Sequence, residues 1–172
     1  SQSRRMLNYG SFALSSATLG LSALRGLDAI WVYNSPASIA VPMWASKYLF
    51  GVPHVLHVMD LWPDSIFLSD FGGGTLSKGV VHRALDKWCS TMYQTAASVA
   101  YVTPGLRNEL VSRGVPESKL HFIPVWADQT ATQLVEPIPR SHWNVADEDL
   151  LMLYAGTIGA SQGLDTVIEA LA

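Results

Sequence analysis

Two patterns of apolar residues follow each other repeatedly along this chain. One is typical of helices and the other of buried strands. Apolar residues at spacings of three and four predict helices, and short, nearly continuous apolar runs predict buried strands. The predicted helices cover residues 4–25, 37–50, 76–95, 105–113 and 164 to the end. The predicted strands cover residues 28–34, 53–59, 98–103, 119–125 and 150–155. This order indicates an α/β fold, with a Rossmann-like parallel sheet and helices on both faces.

Glycine and proline residues mark where the predicted elements end. Gly51 and Pro53 close one helix, and Gly114 closes another. The three glycines at residues 72–74 predict a loop. Residues 127–149 are polar and contain proline, so they predict a connection between two units. Only one strand and one helix are predicted after that connection, which is too little for a core. We therefore interpret the chain as a fragment of a longer protein.

The first predicted helix is unusual because no charged side chain lies between Met6 and Leu24. Arg4, Arg5 and Arg25 flank this stretch. A helix that spans a membrane needs about 20 predominantly apolar residues, and the Ser, Thr, Asn and Gly residues here make the stretch too polar. We interpret it as a buried helix, with a membrane-facing helix as the alternative.

Composition narrows the classes of function. Of the 172 residues, 49% are hydrophobic and only 15% are charged, against about a quarter charged on average. Much of the chain is therefore buried, or meets a membrane or another domain. The net charge of −3 provides no general attraction to nucleic acid. The single cysteine, Cys89, excludes an internal disulfide and any metal site with several Cys ligands, and it suits a reducing cytosol.

The candidate active site lies where the second predicted strand ends, in the sequence Asp60-Leu61-Trp62-Pro63-Asp64-Ser65. Pro63 has no N–H to donate, so the strand must stop there. Ligands bind at the carboxyl ends of the strands in open α/β sheets. We therefore expect a site around Asp60, although a cap of a turn or helix is the alternative for this residue. His57 is a further candidate, with a buried core histidine as its alternative.

Two other strand ends carry candidate groups. Residues 156–159 follow a predicted strand and precede a helix, so their backbone N–H groups are placed to approach a phosphate; a plain turn is the alternative. Thr103 ends another strand and either caps the next helix or lines the cleft. Residues 74–79 have the glycine spacing of a phosphate-binding loop, but Val80 and Val81 stand where such a loop needs Lys and Ser or Thr.

An ordered set of segments resembles glycosyltransferase family 4, and most closely its bacterial members that build surface polysaccharides from amino-sugar nucleotides. The segments that carry the resemblance are Arg4–Tyr9, Asp60–Ser65, Val102–Gly105, Gly114–Lys119, Phe122–Asp128, Tyr154–Gly159 and Gln162–Asp165. The resemblance implies a GT-B fold, in which two Rossmann-like domains face each other across a cleft. Residues 1–126 would then be the later part of the amino-terminal, acceptor-side domain. Residues 127–149 would be the linker, and residues 150–172 would begin the donor-binding domain.

The same resemblance implies an activity. Such enzymes transfer a sugar from a nucleotide-sugar donor to a glycan or lipid-linked acceptor, with retention and without a bound metal or other cofactor. It implies a cytoplasmic enzyme with a possible peripheral contact to the inner face of the membrane. Because the Gly-rich loop of the amino domain and the acidic donor element are absent from this sequence, we expect residues 1–172 alone to be inactive.

The resemblance also implies roles for individual residues. Asp60 and His57 would be catalytic, although Met59 stands where much of the family has a histidine. The family often has Arg and Lys where Thr157 and Gln162 stand. The expected substrate-binding residues are Trp62, Asp64, Thr103, Gly156, Thr157, Gly159 and Gln162. Two alternatives stay open: a nucleotide-dependent oxidoreductase, which lacks its usual glycine fingerprint here, and a protein- or membrane-binding module without catalysis.

Overall fold

The computed structural model describes residues 2–65, 79–128, 130, 136, 138–159 and 162–171. The chain divides into two units, Ser1–Pro124 and Val125–Ala172. The first unit contains all the strands that the structure describes. In its described residues, the second includes the 3-10 turn Arg140–Trp143 and the short helix Leu164–Ala170.

Four parallel strands form one sheet, in the order in which they occur along the sequence. Val32 lies opposite Leu56, Leu56 opposite Val99, and Val99 opposite Leu120. The predicted parallel, Rossmann-like sheet is thus confirmed. Each strand is shorter than predicted, because a strand ends where its ladder hydrogen bonds end and not where the apolar run ends. The strands are β1 (Ile30–Asn34), β2 (His54–Val58), β3 (Ser98–Tyr101) and β4 (Leu120–Phe122).

Within the described residues, each of the five predicted helical segments has a corresponding α-helix. These helices are α1 (Gln2–Ala17), α2 (Ala40–Phe50), α3 (Val80–Thr95), α4 (Gly105–Ser112) and α5 (Leu164–Ala170). The first predicted segment is interrupted after Ala17, and a separate 3-10 turn follows at Leu21–Leu24. Gly51 ends α2 as predicted: its φ of 73° turns the chain, and its N–H donates to the Lys47 carbonyl at 2.9 Å. The predicted loop at residues 72–74 lies outside the described residues.

One face of the sheet forms the core of the first unit with α2, α3 and α4. In this sheet, each strand is added on the same side of the strand before it. When the connections between such strands are right-handed, their helices all lie on one face of the sheet. The predicted layer of helices is therefore present on this face, where α2, α3 and α4 lie. On the opposite face, Trp31 and Tyr33 of β1 remain about half exposed, at 51% and 54%. The core includes Val32, Leu56, Val58 and Val99 from the strands, with Met43, Met92 and Leu110 from the helices.

The core also holds a polar pair. Ser46 of α2 and His54 of β2 are both buried, and Ser46 Oγ lies 2.7 Å from His54 Nε2. Burial lowers the pKa of His54, and the nearby charge of Lys47 lowers it further. His54 is therefore a neutral, hydrogen-bonded residue that ties β2 to α2.

The interpretation of the first predicted helix as a buried helix is wrong. Leu7 and Leu14 of α1 are 72% and 67% exposed, and Leu19 in the following turn is 86% exposed. Among the residues of this helix whose burial is described, Ala13 is buried, and the helix packs near α2. A three-and-four spacing predicts a helix but does not say which surface covers its apolar side. Among the described residues, no helix is long and apolar enough to cross a membrane.

The strand predicted in the second unit is not seen in the structure. The structure forms no strand at residues 150–155, and all six residues are exposed. A strand exists only where a neighbour exchanges backbone hydrogen bonds with it, so an apolar run without such a neighbour stays irregular. The helix predicted after this run is confirmed as α5, which begins after Gly163 at a φ of 57°.

Candidate active site

The carboxyl end of the sheet carries the segment Met59–Ser65, which we call the Asp60 loop. It follows β2 directly, and the neighbouring strand β1 ends in Asn34, whose side chain is fully buried. Asn34 Nδ2 donates a hydrogen bond to the Asp60 carbonyl oxygen at 3.3 Å. Asn34 thus holds the main chain of Asp60 from the side of β1.

The phenol of Tyr93 holds the next part of the loop. Its hydroxyl accepts a hydrogen bond from the Trp62 N–H and donates one to the Trp62 carbonyl oxygen, both at 2.9 Å. Burial in the core raises the pKa of Tyr93 well above its usual value, so the hydroxyl keeps its proton. Pro63 is also fully buried, and the Trp62–Pro63 peptide bond is cis. The loop is therefore anchored to α3 through its main chain.

Arg113, at the end of α4, makes the third anchor of the loop. Its side chain is only 12% exposed. Nη1 donates to the Trp62 carbonyl oxygen at 3.2 Å and to Asp86 Oδ1 of α3 at 3.1 Å, and Nη2 pairs with Asp64 Oδ2. Asp64, predicted to bind substrate, thus takes part in an ion pair within the first unit. Sequence reasoning missed Arg113, and its only local signal is a basic residue at a helix end beside Gly114.

The side chain of Asp60 itself is exposed. No residue in the described part of the chain makes a hydrogen bond or ion pair with its carboxylate. Its main chain, in contrast, is held at Asp60 by Asn34 and two residues later by Tyr93 and Arg113. An accessible carboxylate on a fixed main chain can orient a hydroxyl group or accept its proton.

His57 lies in a different environment. It is 4% exposed, and its ring contacts Trp31 edge-on, with ring centres 5.1 Å apart and planes at 63°. Its Nε2 is buried and has no hydrogen-bond partner in the region that the structure describes. No hydrogen bond connects His57 with Asp60 in that region.

Thr103 follows β3 at the same end of the sheet and is exposed. The residue before α4 is Pro104, and no side-chain hydrogen bond caps that helix. Thr103 contributes its carbonyl oxygen to the turn, as acceptor for the Leu106 N–H at 3.1 Å. The capping role considered for the Thr103 hydroxyl is therefore not seen, and the hydroxyl stays accessible at the strand end.

The glycine-containing turn of the second unit has a defined local shape. Tyr154 Oη donates to the Thr157 carbonyl oxygen at 2.8 Å, and a Cβ atom at Gly156 would lie 2.9 Å from that hydroxyl. A side chain at residue 156 would therefore displace the hydroxyl of Tyr154. The Gln162 N–H donates to the Gly159 carbonyl oxygen at 3.1 Å. The predicted residues of this turn are brought together, and the four of them are exposed.

Metal-ligating side chains do not cluster in the described residues, where no group of three or more His, Cys, Asp or Glu could hold a metal ion. The candidate groups described above are the exposed carboxylate of Asp60 and the strand-end hydroxyl of Thr103 in the first unit. The second unit separately has the turn at 156–159.

Residues 2–126 match the Glycosyl transferase 4-like domain, which is nearly three quarters of the chain. The chain belongs to this family. It is also similar to the protein named "Putative colanic acid biosynthesis glycosyl transferase WcaI" of Escherichia coli (strain K12), with 27% identity over 177 residues. That alignment covers 97% of this chain and 42% of the relative, so the chain spans less than half of the relative's length.

The family match confirms the resemblance found in the sequence. It also favours a transferase over the two alternatives, an oxidoreductase and a binding module without catalysis. The matched range contains the whole sheet, the Asp60 loop and the three residues that anchor it.

Proposed function

We propose that the full-length protein is a glycosyltransferase that transfers a sugar from a nucleotide-sugar donor to a glycan or lipid-linked acceptor, with retention, in the synthesis of a cell-surface polysaccharide. Membership of the Glycosyl transferase 4-like family supports the class of reaction. The name of the Escherichia coli relative, which assigns that protein to colanic acid biosynthesis, supports a polysaccharide product.

The observation that carries the proposal is the accessible carboxylate of Asp60 on a main chain held from two sides. In the proposed reaction Asp60 orients the acceptor hydroxyl or accepts its proton, a role worth about 10²–10⁴-fold in rate. Thr103 presents a hydroxyl at the end of the next strand and binds the same substrate. Of the two predicted catalytic residues we favour Asp60, because His57 is buried against Trp31.

On the donor side, the proposal uses the turn at residues 156–159. Backbone N–H groups of Thr157 and its neighbours, with the side-chain amide of Gln162, would contact the diphosphate. Neither Thr157 nor Gln162 brings a positive charge, so this turn itself would meet the developing charge of the leaving group with dipoles.

The test compares variants of the full-length protein. We expect Asp60→Ala to lower kcat by about 10²-fold or more, with little change in melting temperature because the side chain is exposed and unpaired within the described region. Asp28→Ala is the matched control, since Asp28 is an exposed aspartate at the amino end of β1, away from the carboxyl edge. Transfer is measured with radiolabelled nucleotide-sugars and membrane-extracted acceptors, alongside thermal melts.

A kcat that is unchanged in Asp60→Ala, together with a lower melting temperature, would show that Asp60 is a structural residue and would overturn its catalytic role. An absence of transfer by the wild-type protein with any nucleotide-sugar, together with saturable binding of a nicotinamide cofactor, would favour the oxidoreductase instead.

We also place the enzyme at the cytoplasmic face of the membrane, in peripheral contact through α1. The support is the set of exposed apolar side chains on α1, such as Leu7 and Leu14, flanked by Arg4 and Arg25. We expect sedimentation with anionic vesicles and not with phosphatidylcholine vesicles, and loss of binding when Leu7 and Leu14 are both replaced by Glu. Equal binding of the wild type to both kinds of vesicle, or to neither, would contradict this placement.

A further inference from the structure

Arg113 is placed more firmly than a surface arginine needs to be. It is the residue that ends α4, and its own carbonyl oxygen accepts a hydrogen bond from Gln94 Nε2 of α3. The next residue, Gly114, has a φ of 81°, and a Cβ atom there would lie 2.7 Å from Gln94 Nε2. The main chain of Arg113 is therefore fixed against α3 before its side chain makes any contact.

The guanidinium of Arg113 joins three acceptors that come from two segments. It contacts the Trp62 carbonyl oxygen and the carboxylate of Asp64 in the Asp60 loop, and the carboxylate of Asp86 in α3. A planar guanidinium presents several N–H groups in fixed directions and can serve three acceptors at once, whereas a lysine ammonium is a compact point charge. Arg113 therefore fixes both the position and the orientation of the loop relative to α3.

These ion pairs are poorly suited to a role in stability alone. The side chain of Arg113 is 12% exposed, but those of Asp64 and Asp86 are 45% and 48% exposed, so water screens both ion pairs from the carboxylate side. The bond to the Trp62 carbonyl oxygen differs, because it acts on the main chain two residues after Asp60. What Arg113 controls most directly is the path of the loop that carries Asp60.

We propose that Arg113 is a positioning residue of the candidate active site: it holds the main chain of the Asp60 loop so that the carboxylate of Asp60 faces the substrate. The proposal rests on the proposed function for its effect on catalysis. Its structural half, the ordering of the loop by Arg113, does not depend on that function.

The deciding variant is Arg113→Lys. A lysine keeps the positive charge and can pair with Asp64 or Asp86, so the melting temperature is expected to stay close to that of the wild type. It cannot hold both carboxylates and the Trp62 carbonyl oxygen together, so the loop shifts. A displacement of about 1 Å can cost about 10²-fold in rate. We therefore expect kcat to fall by about 10- to 100-fold, with the KM for the donor nearly unchanged.

Arg107→Ala is the matched control. Arg107 lies on the same helix and forms an ion pair with Glu117 at 2.7 Å, but both side chains are exposed and neither contacts the Asp60 loop in the part of the chain that is described. We expect no change in kcat, KM or melting temperature for this variant. A double variant, Asp60→Ala with Arg113→Lys, is expected to lose little more activity than Asp60→Ala alone, since Arg113 acts through Asp60.

A second readout separates this proposal from the proposed function. Hydrogen exchange of the Trp62 and Ser65 amides, both hydrogen-bonded within or to the loop, should accelerate in Arg113→Lys and not in Arg107→Ala. Wild-type protein without transferase activity would overturn the proposed function, and amide exchange would then decide the ordering role alone. Unchanged amide exchange in Arg113→Lys would overturn the positioning role. A kcat of Arg113→Lys equal to that of the wild type would also overturn it.

Discussion

Replacement of Tyr93 by Phe removes one oxygen atom from the interior of the first unit. The ring of Tyr93 is fully buried in the core, and Phe keeps its packing. The Trp62 carbonyl oxygen keeps its hydrogen bond from Arg113 at 3.2 Å. The Trp62 N–H, in contrast, loses the Tyr93 hydroxyl, the partner it has in the described structure, at 2.9 Å. The substitution therefore leaves the part-buried Trp62 N–H without this partner.

The expected loss of stability follows from the one hydrogen bond that the Trp62 N–H loses. A buried donor without a partner costs about 1–3 kcal/mol, so we expect the free energy of unfolding to fall by about 2 kcal/mol. That corresponds to roughly a 30-fold change in the unfolding equilibrium constant, at about 1.4 kcal/mol for each factor of ten. With a urea dependence of about 2 kcal/mol per molar, the midpoint of urea unfolding should fall by about 1 M.

The assay is urea unfolding followed by circular dichroism. Tyr48→Phe is the control, because Tyr48 is 68% exposed and its ring, beside Lys47 Nζ, is retained in Phe. We expect no measurable shift for the control. A Tyr93→Phe midpoint within about 0.2 M of the wild type, at a usual urea dependence, would refute the assignment of Tyr93 as an anchor of the Asp60 loop.

Three further predictions concern the core and its helices. Burial raises the pKa of Cys89 to about 12, so this single thiol should react with a thiol reagent only after unfolding, and rapid labelling of the native protein would contradict its placement. Burial lowers the pKa of His54 from 6.5, so on acidification the unfolded chain is protonated at this residue before the folded protein is. The urea midpoint should therefore fall as the pH is lowered from about 7.5 to about 5.5. This fall should be smaller in His54→Gln, and as large as in the wild type in the control His121→Gln, where the replaced residue is exposed. In Gly51→Ala, the added Cβ atom would have no other atom within 4 Å, but the alanine must adopt a φ of 73°. The free energy of unfolding, measured by thermal unfolding, should therefore fall by about 1 kcal/mol, and an increased melting temperature would contradict this.

The sheet could be predicted from the sequence because its strands are apolar runs separated by helical patterns. An apolar run is visible in a short stretch of sequence, and it is typical of the strands of a parallel sheet. The pattern could not say which surface covers a helix, so Leu7 and Leu14 of α1 were expected to be buried and are exposed. It also predicted a strand at residues 150–155, although a strand requires a hydrogen-bonding neighbour.

The candidate site was predictable only at its centre. Asp60 follows from the end of a strand and the Trp62-Pro63 stop, both visible in the sequence. The anchors are not local: Arg113 reaches acceptors 27, 49 and 51 residues away along the chain. Contacts at such separations arise only once α3 and α4 have packed on the sheet, so no spacing in the sequence indicates them.

The strand order of the described sheet has a consequence for how the protein is made. Because β1 to β4 lie side by side in the order of the sequence, each newly synthesised strand finds its partner already outside the ribosome. Among the described strands, β2, β3 and β4 each pair with a strand that precedes them in the sequence. Domains form from the amino terminus during translation, and pairing between successive strands keeps each closing loop short. The described sheet can therefore grow one strand at a time, at the pace of the ribosome.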